Sequence, residues 1–241
     1  MIVLKINGLG SSYWKEVLEV LRNIIPVYDK VNSVISMGKD NAFRKEGIVK
    51  GVHSGNVILD AGSGFGNMSR TVLDSVSRNV DIFFYDPICE MLHKVKDDVD
   101  MHTQPFRFYL CSGVFESIPF KSNTFDAVLC GYSLRDAIDL HVAIGELHRV
   151  LKKGGRLVIV DLGKPDNIIS RFLVSLYLKY FLAILAFSVA GRQGIPFRTL
   201  YGTFLRWPKN NELYGLLSKS FSKIDFKKKF LGGAIVVVAY K

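Results

Sequence analysis

The chain has 241 residues, of which 49% are hydrophobic and 22% charged, and its formal net charge is +10. This length and apolar share suit a single α/β domain with a sizeable core and exclude a disordered chain. The charge suits an anionic partner. Apart from Lys152–Lys153 and Lys227–Lys229, however, the basic residues are scattered and form no nucleic-acid motif, so nucleic acid is not an expected partner.

Cys89, Cys111 and Cys130 are far apart in sequence and lie in or beside apolar runs. They read as reduced, partly buried thiols of a cytoplasmic protein, with no metal or disulfide spacing. The five histidines show no ligand pairing either, and His141 and His148 fall on one face of a predicted helix as surface or half-buried positions. No metal is expected. The opening MIVLKINGLG is too short and too interrupted by glycine to read as a signal peptide.

Taken in order, Ser11 to Ile25 carries Trp14, Val17, Leu18, Leu21 and Ile25 at helical spacing. This predicts an amphipathic helix capped by Ser11 or Ser12 and ended by Pro26. VYDKVNSVISMGKDNAFRKEGIV follows and becomes helical around Asn41–Gly51. Residues 1–52 are therefore expected to form an N-terminal helical cap long enough to cover a cleft. From Val57 strands and helices alternate. Strands are predicted at Val57–Ala61, Val80–Tyr85, roughly Phe106–Cys111, Phe125–Gly131 and Arg156–Asp161. Helices are expected to run to about Val76, to about Lys96 and from about Ala137 to Leu151, the last ending in the turn Lys152–Gly155. This alternation predicts a parallel sheet with helices on both faces and a ligand site beyond the strands' carboxyl ends.

The pattern then changes. An apolar helix spans about Asp166–Ala190, and residues 166–207 read as an acceptor-side helical insertion. Within it, 172–190 approaches the length of a membrane span but carries Lys179 at its middle. A buried or lid helix is therefore favoured, with membrane-surface contact as the second reading. A helix from about Pro208 to Ser220 and a hairpin, Lys223–Phe230 with Ala234–Tyr240, close the chain over residues 208–241.

The cofactor core, residues 56–161, is organised by VILDAGSGFG. Its spacing is G-x-G-x-G, with Asn67 standing where a dinucleotide fingerprint needs its third glycine. That argues against a nicotinamide dinucleotide and for S-adenosylmethionine. Asp86 ends the second strand, where a carboxylate accepts hydrogen bonds from ribose hydroxyls. Its other reading is a helix N-cap with Pro87 at the first helical position. Asp60 reads either as a brace for the turn or as a contact for the methionine amino group.

VILDAGSGFG, FYDPICEML, ESIPFKSNTFDAVLC and LHRVLKKGGRLVIVDLGKP together resemble class I methyltransferases. GYSLRDAIDLHVAIGELHRVLKKGGRLVIVDLGKP, with YDKVNSVISMG and LGGAIVVV, is similar to the ubiquinone/menaquinone biosynthesis C-methyltransferase family. The resemblance runs from about Tyr28 to Tyr240. It implies a Rossmann-like seven-stranded methyltransferase fold, mostly parallel with a C-terminal antiparallel hairpin, in one domain over 1–241. It implies S-adenosylmethionine held by Asp60, Ala61, Gly62, Gly64, Gly66, Asp86, Pro87, Met91, Val114, Phe115 and Gly131. Val114 stands where the family carries an aspartate for the adenine amine, and it offers backbone groups and an apolar wall instead. Arg135, Asp136 and Tyr28 are carried over to the acceptor ring. Asp136 replaces the family's asparagine and reads equally as the N-cap of the next helix, and Tyr28 reads also as a packing aromatic. The implied reaction is methyl transfer to a hydrophobic small molecule, a quinol or lipid-like acceptor. An O- or N-methyltransferase, or a non-catalytic cofactor-binding module at a membrane, is the alternative. Peripheral membrane contact and a homodimer are further expectations.

Overall fold

The computed structural model describes residues 8–27, 33, 36, 38–76, 79–98 and 106–241. Tyr28 lies outside the described residues. Helix α1 (Ser11–Ile24) starts after Gly10, whose φ is 71°, with no side-chain cap, so neither Ser11 nor Ser12 caps it. Pro26 falls in a short 3₁₀ turn, Ile25–Val27, that ends the helix. Helix α2 (Asp40–Gly51) precedes the sheet.

Strands β1 (Val57–Ala61), β2 (Asp81–Asp86), β3 (Arg107–Ser112), β4 (Phe125–Gly131) and β5 (Leu151–Leu162) pair in parallel. β6 (Lys223–Lys229) and β7 (Ala234–Tyr240) add antiparallel partners, giving the order β3-β2-β1-β4-β5-β7-β6 among the described residues. The expected turn at Lys152–Gly155 is instead an irregularity inside β5. Its pairing with β4 shifts register between Phe125 and Ala127, and Gly154 takes φ 74°.

Pleating sends alternate residues of each strand to opposite faces. On one face Leu59, Val128, Leu157 and Ile159 meet the helices α5 (Leu140–Val150) and α9 (Asn210–Leu217) through Leu147, Leu213 and Leu217. On the other face Ile58, Ile82, Leu129 and Val158 meet α2, α3 (Asn67–Ser75) and α4 (Cys89–Asp98) through Ile48, Val72 and Leu92. The near-continuous apolar strands in the sequence are therefore central strands covered on both sides.

After β5 the chain forms α6 (Ile168–Leu176), a π-helical turn at Tyr177–Phe181, α7 (Leu182–Ala190), a 3₁₀ segment Gly191–Arg198 and α8 (Thr199–Arg206). Leu178, Leu182 and Ala186 pack inward against Ile24 and Phe204. The opposite side is exposed from Ile168 to Phe187, so of the expected buried or lid helix only the inner side is buried, and the fully buried reading is corrected. Apolar content alone does not distinguish a buried helix from one that waits for another surface.

The basic run in β6 is not a free patch. Lys227 and Lys229 pair with Glu46, and Lys228 pairs with Asp166. Of the three thiols, Cys130 is buried and Cys89 is exposed, the latter against the expectation of partial burial.

Candidate active site

The connections from β1 and β4 leave toward opposite neighbours, so the switch in strand order opens a crevice at their carboxyl ends. A cleft lies there. Gly62, Gly64, Asp86, Pro87, Met91, Val114, Phe115, Gly131 and Asp136 all line it. The glycine turn is required by its geometry. Gly62 has φ 66°, and a Cβ there would run into Ser133, while one on Gly131 would run into Met68.

Asp60, Ala61 and Gly66 stand behind the turn rather than in the cleft wall. Asp60 accepts the Ser69 hydroxyl at 2.6 Å and the Ser69 amide at 3.2 Å, which is the bracing role. The Ala61 carbonyl accepts the Ser133 hydroxyl at 2.9 Å. Gly66, at φ 76°, starts α3.

Asp86 is 6% exposed. It accepts the Gly64 amide at 2.8 Å and the Ile88 amide at 2.8 Å, the second just before α4 begins. Burial pushes its carboxyl up to about 6, against those two hydrogen bonds. Burial likewise pushes Asp60 up to about 7, opposed by Ser69 and by the charge of Arg44.

Three buried polar atoms around the turn lack a hydrogen-bond partner among the described residues: Arg44 Nε, Asp60 Oδ1 and Ser63 Oγ. Arg44 and Ser63 line the cleft, and Asp60 lies directly behind it. A ligand end that carries both an ammonium and a carboxylate matches this donor and acceptor set. Together with a carboxylate at the end of β2 and a turn with no room for side chains, the residues present fit S-adenosylmethionine.

A second, mainly apolar cavity lies beside the cleft. Phe43, Leu162, Leu173, Leu178, Phe230 and Leu231 are in its wall. Tyr132 lines both spaces; Arg135 lines the apolar cavity and Asp136 the cofactor cleft. Tyr132 holds φ 58°, a left-handed conformation that costs a bulky residue about 1–3 kcal/mol. Its amide donates to the Val160 carbonyl at 2.6 Å, and the Arg44 guanidinium lies 5.2 Å from its ring centroid. Arg44 is in turn paired with Asp40 at 2.6 Å.

Arg135 is buried and donates through Nη1 to Asp161 at 2.6 Å, and its backbone amide donates to the same carboxylate at 3.2 Å. Asp136 closes a 3₁₀ turn, Leu134–Asp136, and does not cap α5. The cap is Asp139, which accepts the amides of His141 and Val142. The N-cap reading of Asp136 is thus corrected, leaving its carboxylate facing the cleft. Burial pushes that carboxyl up to about 6; the Arg135 charge opposes this, and Asp161 and Asp86 add to it.

Sequence reasoning passed over several residues of this site. Trp14, Val17, Leu18 and Leu21 of α1 cover the cleft, and their signal was the amphipathic stripe itself. Arg44, Tyr132 and Asp161 carried no separate signal, because what brings them together is tertiary packing.

The profile of the ubiE/COQ5 methyltransferase family matches residues 9–241. The chain belongs to this family. It is an S-adenosylmethionine-dependent methyltransferase. This methyltransferase is 26% identical to the demethylmenaquinone methyltransferase of Oceanobacillus iheyensis, over 97% of this chain and 98% of that one. It is 33% identical to the 2-phytyl-1,4-naphtoquinone methyltransferase of Nostoc punctiforme, over 71% and 75%. Among solved structures, an S-adenosylmethionine-dependent methyltransferase from Aquifex aeolicus superposes with a TM-score of 0.59 at 16% identity, over 88% and 97%, a likeness of fold.

Proposed function

We propose that this methyltransferase methylates a ring carbon of a quinol that bears a long apolar tail, of the demethylmenaquinol kind. One observation carries the reading. An apolar cavity adjoins the cofactor cleft, Tyr132 is common to both walls, and Arg135 and Asp136 face the two spaces. A ring seated at that junction reaches the cleft while its tail stays among Leu162, Leu173 and Leu178. The relatives named as methyltransferases of demethylmenaquinone and of 2-phytyl-1,4-naphtoquinone support the same acceptor class.

When bound, S-adenosylmethionine supplies an electrophilic methyl group. Ser63 and Arg44 would hold its amino-acid end, with Asp60 bracing the turn behind them, and Asp86 its ribose. Asp136 has the work of a general base: its carboxylate takes the proton of the quinol hydroxyl, which makes the adjacent ring carbon nucleophilic. A carboxyl near 6 is largely ionised at neutral pH and still basic enough to accept that proton. The Arg135–Asp161 pair fixes the 132–136 loop and keeps a guanidinium beside the oxygen that becomes negative. The proton displaced from the ring carbon leaves to solvent, and Asp136 returns its own proton to the ring oxygen as aromaticity is restored, which regenerates the carboxylate.

The test is to incubate the protein with methyl-labelled cofactor and chemically reduced demethylmenaquinone, then analyse the extract by mass spectrometry. Label on a ring carbon is the expected result. Label on oxygen, or none from a preparation that binds the cofactor by calorimetry, would overturn the reading.

A further inference from the structure

The outer side of residues 168–187 is the largest feature that the site does not use. Ile168, Ile169, Phe172, Leu173, Leu176, Tyr180, Phe181, Ile184 and Phe187 are all exposed, Ile168 at 71% and Ile184 at 65%. They recur three or four residues apart and so form one stripe along α6, the π turn and α7. The stripe continues onto Leu231, 73% exposed, and Phe230. Leu173, Phe230 and Leu231 also line the apolar cavity, so the exposed face and the acceptor space share a rim.

The stretch of chain that carries this face has charge of one sign. Between Asp166 and Glu212 the sequence holds no acidic residue, and its basic residues are Arg171, Lys179, Arg192, Arg198, Arg206 and Lys209. A second copy of the chain laid on this face would bring like charges together. An anionic bilayer brings the opposite charge and accepts the apolar side chains. A spanning arrangement does not fit. Leu178, Leu182 and Ala186 are already committed to Ile24 and Phe204, and Lys179 would lie at the membrane centre.

We propose that the outward face of Ile168–Phe187, extended by Phe230 and Leu231, docks this protein in the plane of an anionic lipid bilayer. The acceptor's tail then passes from the bilayer into the cavity at their common rim. The second statement rests on the acceptor reading above; the first does not.

Flotation with vesicles of phosphatidylcholine alone, and of phosphatidylcholine with phosphatidylglycerol, tests this. The wild-type protein is expected to float with the anionic vesicles and to be released by salt. The Phe172→Ser/Ile184→Ser variant is expected to remain unfloated while binding S-adenosylhomocysteine as the wild type does. Lys179→Gln is expected to lower vesicle affinity about fivefold, the equivalent of about 1 kcal/mol per cation near an anionic surface. A wild-type protein that stays down, or a double variant that floats equally well, would overturn the proposal. So would a wild-type dimer that the double variant converts to monomer without any flotation, since the face would then belong to a second copy. A tail-less quinol separates the two readings. Vesicle binding without methylation of either quinol sinks the acceptor reading alone, whereas methylation without vesicle binding sinks the docking alone.

Discussion

At the scale of single residues, the pH behaviour expected of turnover follows from Asp136 as the proposed base. Its carboxyl is held near 6, so lowering the pH through that value protonates it and removes the base. Turnover at saturating cofactor is expected to fall below about pH 6 along a one-proton limb, and Asp136→Asn should lower kcat by about 10²-fold or more and erase that limb. A pH profile of kcat for both proteins checks this, and saturation removes the contribution of Asp86, which titrates in the same range. Asp161→Ala takes from the buried Arg135 guanidinium its 2.6 Å partner, leaving the Asp136 carboxylate 3.9 Å away, and is expected to cost about 3 kcal/mol in denaturant unfolding. The residue-level reading of the sequence was best where chemistry is local. G-x-G-x-G and the acid at the end of the second strand imply a tight turn and a cleft carboxylate wherever they occur in such a sheet. It was weakest for groups defined by partners. Arg135 was expected at the acceptor ring, and it lies beside that space, but its charge is bound to Asp161, a contact between residues 26 apart in the chain.

At the scale of elements, the cap of α5 is the clearest revision. The sequence offers Asp136 as a cap, but the 3₁₀ turn at Leu134–Asp136 moves the helix start to Leu140 and gives the cap to Asp139. Asp139→Ala is expected to cost about 1 kcal/mol, against a near-zero capping effect at Asp136, in paired thermal melts. Strands and helices of the core were legible because continuous apolar runs alternate with 3.6-residue patterns. The helix after β5 was not, because its outward and inward residues are equally apolar and periodicity carries no label for which side meets the core. Likewise the stripe on α1 announced a buried face, but only packing shows that Trp14, Leu18 and Leu21 cover the cofactor cleft.

For the molecule as a whole, the buried acids make stability depend on pH in an uncommon direction. Asp60, Asp86 and Asp136 hold protons in the folded state at values where the unfolded chain has released them. Their contribution is full below about pH 4 and is lost as pH rises through about 6–7. His148 opposes them, since burial lowers its value and acid favours its exposed, charged form. Glu46, Glu146 and Asp166, held against burial below their ordinary values by lysine and arginine partners, lose their contribution only in more acid solution. Between about pH 5 and 8 the three raised acids therefore act against His148, and the ligand-free protein is expected to melt higher at about pH 5 than at about pH 8, as thermal scans across buffers would show. Ligand that binds only the folded state adds about 2.7 kcal/mol at a hundredfold excess over Kd, so S-adenosylhomocysteine should raise Tm by roughly 5–10 °C.

The π turn at Tyr177–Phe181 has a consequence for what sequence change this helix tolerates. Such a turn absorbs one residue beyond the α-helical count, so α6 and α7 keep a common angular phase across it. Val174, Leu178 and Leu182 thereby stay aligned on the protein side. Deleting Tyr180 would relax the turn to regular α-helix with both flanks still correctly aimed. Deleting one residue within α6 instead would twist everything upstream of the cut relative to α7 by about 100°. The turn is a slack link, and it marks the place where this helix can change length without changing which way it faces.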